Sequence, residues 1–246
     1  MLTTTQGIVL RSIKYGETSL ISTVFTRTYG VQAYMVQGVR LAGARSRQSR
    51  AGLLQPATLL DIVVYHRTQK SLQRMKEFNA AHIYQSVQED IVRNSIALFS
   101  VELLLRLLPE EAPAPELFDF AFGYFRQLDL LPVEAVANFP VFFLVQCSSY
   151  LGYEIRGAYS QQTPHLNLQE GGFTAQPPTV RPFVSEEDAR ALAALLGVRE
   201  FTGLYQVEMN AGMRQRLLEW YIEFLHRHTD HMGPIKSLPV LQAILH

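Results

Sequence analysis

Hydrophobic residues in this chain recur with period two up to about residue 79 and with helical period from Ala80 onward. A strand-period pattern does not bury its apolar face as a helix, nor a helical pattern as a strand. The change of period therefore divides the 246 residues into two unlike regions. The length lets each region bury a core of its own. The expected fold class is α+β and multi-domain. Residues 1–79 form a β-barrel domain, and residues 80–246 form an all-helical domain with an irregular insert at about 152–184.

Five short strands are predicted over 7–13, 19–26, 31–37, 59–65 and 72–76, with turns at Tyr15-Gly16-Glu17 and Thr28-Tyr29-Gly30. Five strands with glycines at the corners fit a closed barrel of the oligonucleotide-binding (OB) type, and an SH3-like barrel has a similar strand count. Between the third and fourth strands, residues 38–52 hold Arg40, Arg45, Arg47 and Arg50, three glycines and no acid, the composition of a loop. In the helical region a first helix is expected over 80–107, stopped by Pro109. A second starts at Pro115, and a third runs from Pro132 to about Leu151 with a kink or split at Pro140. Ser185-Glu186-Glu187-Asp188 resembles a capping box opening a helix to Leu196. Asn210 is placed to cap a helix to about His228, and Ser237 a last one to Leu245.

The net charge of zero conceals a division between the two regions. Residues 1–79 carry eleven Lys/Arg against three Asp/Glu, a net of +8, and residues 80–246 carry eleven against nineteen, a net of −8. Such a basic half suggests a polyanion partner. Arginine pairs bidentately with phosphate, so the arginine loop is the first candidate site, and Arg67, Lys70, Arg74 and Lys76 extend its sign. Single-strand binding also calls for aromatic faces on which bases stack; Tyr29, Tyr34 and Tyr65 are the candidates.

Other chemistries find less support. Cys147 is the only cysteine, so internal disulfides and a cysteine-built zinc site are excluded, and no metal or cofactor is expected. Its apolar neighbours Phe142, Phe143 and Leu144 describe a buried structural thiol. His226-Arg227-His228-Thr229-Asp230-His231 matches the HxHxDH pattern of zinc hydrolases of the metallo-β-lactamase type. Here, however, the pattern ends an amphipathic helical run and only fifteen residues follow it. No nucleophile elbow or glycine-rich phosphate loop occurs. No window approaches the ~18 uninterrupted apolar residues of a membrane helix, and the start lacks a secretory pattern; a cytoplasmic protein is expected.

The run Gly7-Ile8-Val9-Leu10-Arg11-Ser12-Ile13-Lys14-Tyr15-Gly16-Glu17-Thr18-Ser19-Leu20-Ile21 resembles the opening of the RecO proteins of bacterial recombinational repair. The likeness continues through Thr28-Tyr29-Gly30, Gly38-Val39-Arg40 and Leu54-Gln55-Pro56. It returns at Pro234-Ile235-Lys236-Ser237-Leu238 near the far end. The resemblance implies a non-enzymatic protein with an OB-fold followed by a helical domain. Such a protein binds single- and double-stranded DNA, anneals complementary strands and helps load RecA onto strands coated with single-stranded-DNA-binding protein (SSB), near the nucleoid. It implies a RecR-type partner and contact with the acidic C-terminal tail of SSB. Within the helical region Arg126, Arg156, Arg214 and Arg216 are local cations able to meet such a tail. The four-cysteine zinc module of many members has no counterpart here, because residues 151–184 contain no cysteine. An RNA-binding OB protein is the remaining alternative.

Overall fold

Leu2–Tyr15 (β1), Ser19–Thr26 (β2), Gly30–Val36 (β3), Leu59–Tyr65 (β4) and Leu72–Ala80 (β5) close into one barrel in the order β1–β2–β3–β5–β4. These strands come from a computed structural model that describes residues 1–39, 50–229 and 232–245. β1 pairs with both β2 and β4, and the barrel is shut by a short parallel contact between β3 and β5. That closure belongs to the OB-type barrel and removes the SH3-like alternative. Alternation explains the interior: Leu60, Ile62 and Val64 of β4 point inward, while Asp61, Val63 and Tyr65 point out.

Two bulges account for strands longer than their sequence pattern. In β1 the register shifts between Val9 and Arg11, which lets one 14-residue strand bend between two neighbours. In β5 it shifts opposite Val63/Val64, so Lys76 is the extra residue. Lys76 and Glu77 are then both exposed, and Phe78 returns to the core. The strand therefore continues past Lys76, where the sequence pattern ends it.

The continuation of β5 also displaces the first helix. It spans Ile91–Leu107 (α1) rather than starting at residue 80, and Asp90 caps it by accepting from the N–H groups of Val92 and Arg93 at 2.8 and 3.0 Å. The intervening segment is held instead by Tyr84, whose hydroxyl donates to the Ala57 carbonyl, and by His82 and Gln85 on the buried Asp129.

Pro115–Leu130 (α2) begins at its proline as expected, but it belongs with the barrel. One compact unit comprises Met1–Gln85 and Leu107–Asp129; the other comprises Ser86–Arg106 and Leu130–His246. The reason lies on the barrel's outer face, where Ile8 and Phe25 are apolar and must be covered. Phe118 packs edge-on against Phe25 at 5.3 Å, and Asp119 takes a two-pronged bond from Arg27 at 2.7 and 2.9 Å. Gly30 has φ of +66°, and a Cβ there would lie 2.2 Å from the Ala112 carbonyl oxygen, so only glycine lets residues 110–112 join the edge of β3.

In the second unit the proline-split third segment is a 3₁₀ turn over Val133–Asn138 followed by Phe139–Tyr150 (α3), with Pro140 in the first helical turn rather than at a kink. The insert carries a small hairpin, His165–Asn167 (β6) with Gly172–Thr174 (β7), tied to Arg156 by backbone bonds of 2.9 Å. Glu186–Leu196 (α4) opens on the expected capping box, and Asn210 caps Ala211–His228 (α5) by accepting from Met213 N–H at 2.9 Å. Ser237 precedes Leu238–Ile244 (α6) but makes no side-chain cap. Its hydroxyl donates to Glu102, which also accepts the Lys236 and Ser237 N–H groups at 2.9 and 2.7 Å. The carboxylate of α1 thus holds the turn that the serine was expected to hold.

Candidate nucleic-acid interface

The barrel's registers bring one set of outward side chains into line. Leu2 lies opposite Tyr65, Tyr65 opposite Arg74, Arg74 opposite Met35, and Met35 opposite Ile21. Directly paired residues point to the same face, so Tyr65, Arg74 and Met35 are neighbours across β4, β5 and β3. The loop joining β4 to β5 adds Arg67 and Lys70 to this row. Together with Leu72 these residues line an open groove of 680 Å³ that, among the described residues, contains three cations and no acid. Tyr65 is 40% exposed, enough to present a ring face. Guanidinium and ammonium groups around an aromatic and an apolar floor suit a phosphate chain carrying stackable bases.

The cations named from the sequence divide by their surroundings. Arg67, Lys70 and Arg74 converge on the groove. Lys76 stands on the β5 bulge, 3.0 Å from Glu77, and that carboxylate raises its pKa while cancelling most of its attraction at a distance. Arg50 sits over the Phe78 ring with 5.0 Å to its centroid. Arg40, Arg45 and Arg47 lie outside the described residues.

The aromatic candidates divide as well. Tyr34 is 0% exposed, and burial pushes its phenol pKa up; it fills the barrel and has no face for a base. The period-two pattern marks an inward residue and an outward one equally well, and only the register separates them. Tyr29 is half-buried, stacked on His66 at 3.8 Å and bonded through its hydroxyl to Thr3. Tyr65 is the accessible one. Sequence reasoning missed Met35 and Leu72, which are found by carrying the inward/outward alternation across neighbouring strands.

Acids border the groove on one side. Glu111 shares an adjoining hollow of 180 Å³ with Arg67 and Lys70, and Glu110 and Glu111 line another with Ala33 and Leu72. With residues 107–129 included, the barrel unit carries twelve Lys/Arg against eight Asp/Glu, a net of +4.

The two described histidines of the HxHxDH pattern do not converge. His226 and His228 occupy the last turn of α5. Two residues apart on a helix they project about 200° apart, so they cannot face one ion together. Asp230 and His231 lie outside the described residues. Among the described residues no group of three or more His, Cys, Asp or Glu is arranged to hold a metal. Cys147 is fully buried in α3, and burial raises its thiol pKa.

Comparison with known proteins settles the family. The model of the recombination protein O N-terminal domain matches residues 1–84, and that of its C-terminal domain matches residues 88–239. This chain belongs to the RecO family. Among its relatives, the DNA repair protein RecO of Christiangramia forsetii is 29% identical over 245 residues, 99% of each chain. That of Flavobacterium johnsoniae is 29% identical over 240 residues, 98% of each chain. The RecO protein of Salinibacter ruber is 26% identical over 98% of this chain and 93% of its own. Within the stretch matched by the C-terminal model, Glu102 holds the backbone of Lys236 and Ser237. No helix among the described residues is long and apolar enough to cross a membrane.

Proposed function

We propose that this chain is a non-enzymatic mediator of recombinational DNA repair whose barrel holds DNA without reading its sequence. On this reading it binds single- and double-stranded DNA, anneals complementary strands and helps RecA load onto SSB-coated DNA. The observation that carries the reading is the groove where Arg67, Lys70 and Arg74 surround Tyr65 and Met35 with no acid among the described lining residues. Phosphate contacts grip any sequence, and a strand held by its backbone and by stacking leaves its pairing edges free. Arg40, Arg45, Arg47 and Arg50, which fall between β3 and β4 in the sequence, are proposed as further phosphate contacts.

The helical unit takes the protein partners, a RecR-type protein and the SSB tail. Among the four cations considered for the tail, Arg216 is engaged by Asp188 at 2.7 and 2.8 Å and Arg214 donates to the Met209 carbonyl. Arg126 falls in the barrel unit, which leaves Arg156, an exposed residue of the insert.

The test is annealing of complementary oligonucleotides by the full chain, with and without SSB. Acceleration is expected in both cases, with DNA outcompeting an RNA of the same sequence. If annealing proceeds at the uncatalysed rate, or RNA displaces DNA, the proposal is wrong.

A further inference from the structure

Gln73 occupies an inward position of β5: it pairs with Tyr34 across the parallel β3–β5 register, and both are buried. The surrounding interior is apolar, built from residues such as Val36, Val64 and Met75. Burying a primary amide in such a place costs free energy unless its polar atoms are met. They are met by the adjoining loop rather than by the barrel. The side-chain Oε1 accepts from the Arg67 N–H at 2.9 Å, and Nε2 donates to the carbonyls of Arg67 at 2.8 Å and Lys70 at 2.5 Å. The Lys70 N–H returns to the Arg67 carbonyl at 3.1 Å, so the 67–70 turn closes around one side chain. The start of the loop is tied separately: His66 exchanges backbone bonds with Met1 at 3.0 and 2.9 Å and stacks on Tyr29. An apolar residue at 73 would fill the interior equally well. What the amide adds is the shape of the loop.

We infer that Gln73 is the positioning residue of the DNA groove, fixing the 67–70 backbone so that Arg67 and Lys70 are presented to phosphate before any strand arrives. The inference rests on the proposed reading that this groove binds DNA. Its consequence differs from that of a contact residue. With Gln73 replaced, both cations remain and still reach phosphate, but their ordering is charged to the binding step. Affinity falls while the number of phosphates neutralised stays the same. Removing the cations themselves lowers that number, and with it the salt dependence, by about 0.7 per lost contact on a single strand.

The experiment compares the native full chain with Gln73→Met, which preserves length and apolar fill, and with an Arg67→Ala/Lys70→Ala variant. Binding of a fluorescein-labelled oligo-dT is titrated between about 50 and 200 mM salt, and thermal unfolding is followed by circular dichroism. Gln73→Met is expected to bind about three- to tenfold more weakly at every salt, on the scale of one or two newly ordered side chains. Its log–log line should run parallel to the native one, with unfolding close to native. The double-alanine line should be shallower. Native affinity in Gln73→Met, or a slope that drops to the double-alanine value, overturns the positioning role. Native affinity and slope in the double-alanine variant overturn the groove reading itself, a separate outcome. Should Gln73→Met fail to fold, amide hydrogen exchange on the native chain decides. A protected Arg67 N–H supports the clamp, and exchange at the rate of a free loop refutes it.

Discussion

Replacing Arg67, Lys70 and Arg74 together with alanine tests whether location in the groove, and not mere positive charge, determines the grip on DNA. All three line the groove, whose described lining holds no acid. If each neutralises one phosphate, the slope of log K against log salt on a single strand should fall by about 2, at ~0.7 per contact. Over a fourfold rise in salt, a loss of two slope units corresponds to a difference of about sixteenfold in how far affinity drops. Lys76 and Arg27 are the controls, because each carries the same formal charge beside a carboxylate. Lys76 stands 3.0 Å from Glu77, and Arg27 stands 2.7 Å from Asp119. Alanine at either position breaks an ion pair and leaves its carboxylate behind, but it removes no cation free to neutralise a phosphate, so the slope should stay nearly unchanged. The assay is fluorescence anisotropy of a labelled oligonucleotide across a salt series. A native slope in the triple variant, or a fall with Lys76→Ala as large as with any single groove cation, would show that this partition of the charges is wrong.

Tyr65→Ala should weaken single-strand binding by about 1–3 kcal/mol through lost stacking, whereas Tyr34→Phe should leave it unchanged; equal losses in a titration would contradict the assigned orientations. Asp188→Ala removes the carboxylate that accepts the Ser185 N–H in the capping box and, with it, the partner of Arg216. With the Asp188 side chain fully buried and Arg216 half exposed, the cost should be about 2–3 kcal/mol, read from urea unfolding. Burial alone would raise the carboxyl pKa values of Glu102 and Asp188. Hydrogen bonds from Ser237 and Lys236 for the first, and from Arg216 and Ser185 for the second, hold both below the ordinary carboxylate range. Groups depressed in the folded state stabilise it above their unfolded pKa, and the contribution is lost as pH falls through the folded value. Acid unfolding should therefore be displaced in Asp188→Asn, and an identical acid limb would refute the linkage. A chelator should leave the unfolding temperature unchanged; a drop on chelation, with about one zinc per chain by metal analysis, would reopen the metal question.

How far the sequence discloses this molecule depends on whether a signal is local. β2, β4, the Pro115 start of α2 and the Ser185 and Asn210 caps are all legible because each is decided within a few residues. The first helix is misplaced because Ala80, Ile83, Tyr84 and Val87 imitate helical spacing while the chain is still finishing a strand and a pinned connection. Lys76-Glu77 looks like a strand end because a bulge and a terminus break alternation in the same way. For the candidate site, residue types are legible and orientations are not. Tyr34 and Tyr65 are equally aromatic, and only pairing across strands sends one inside and the other out.

The same distinction governs the charge. Counted along the chain, the first 79 residues carry +8. Counted by compact unit, the segment 107–129 returns five acids and one arginine to the barrel and halves that value. Two of the five returning acids, Glu110 and Glu111, stand beside the groove. The Glu111 N–H donates to the Val31 carbonyl at 3.0 Å, and Glu110 bridges to Val31, so two carboxylates stand where β3 leads toward the groove. The result is a polarised surface, cationic at the β4–β5 loop and acidic beside it, which favours a phosphate chain on one side and repels it on the other. A chain of zero net charge gains little long-range attraction, so its hold must come from short-range contacts within about a Debye length. On the proposed reading, this combination suits annealing. A strand is gripped where the cations converge, and no broad positive field holds it after its complement has paired.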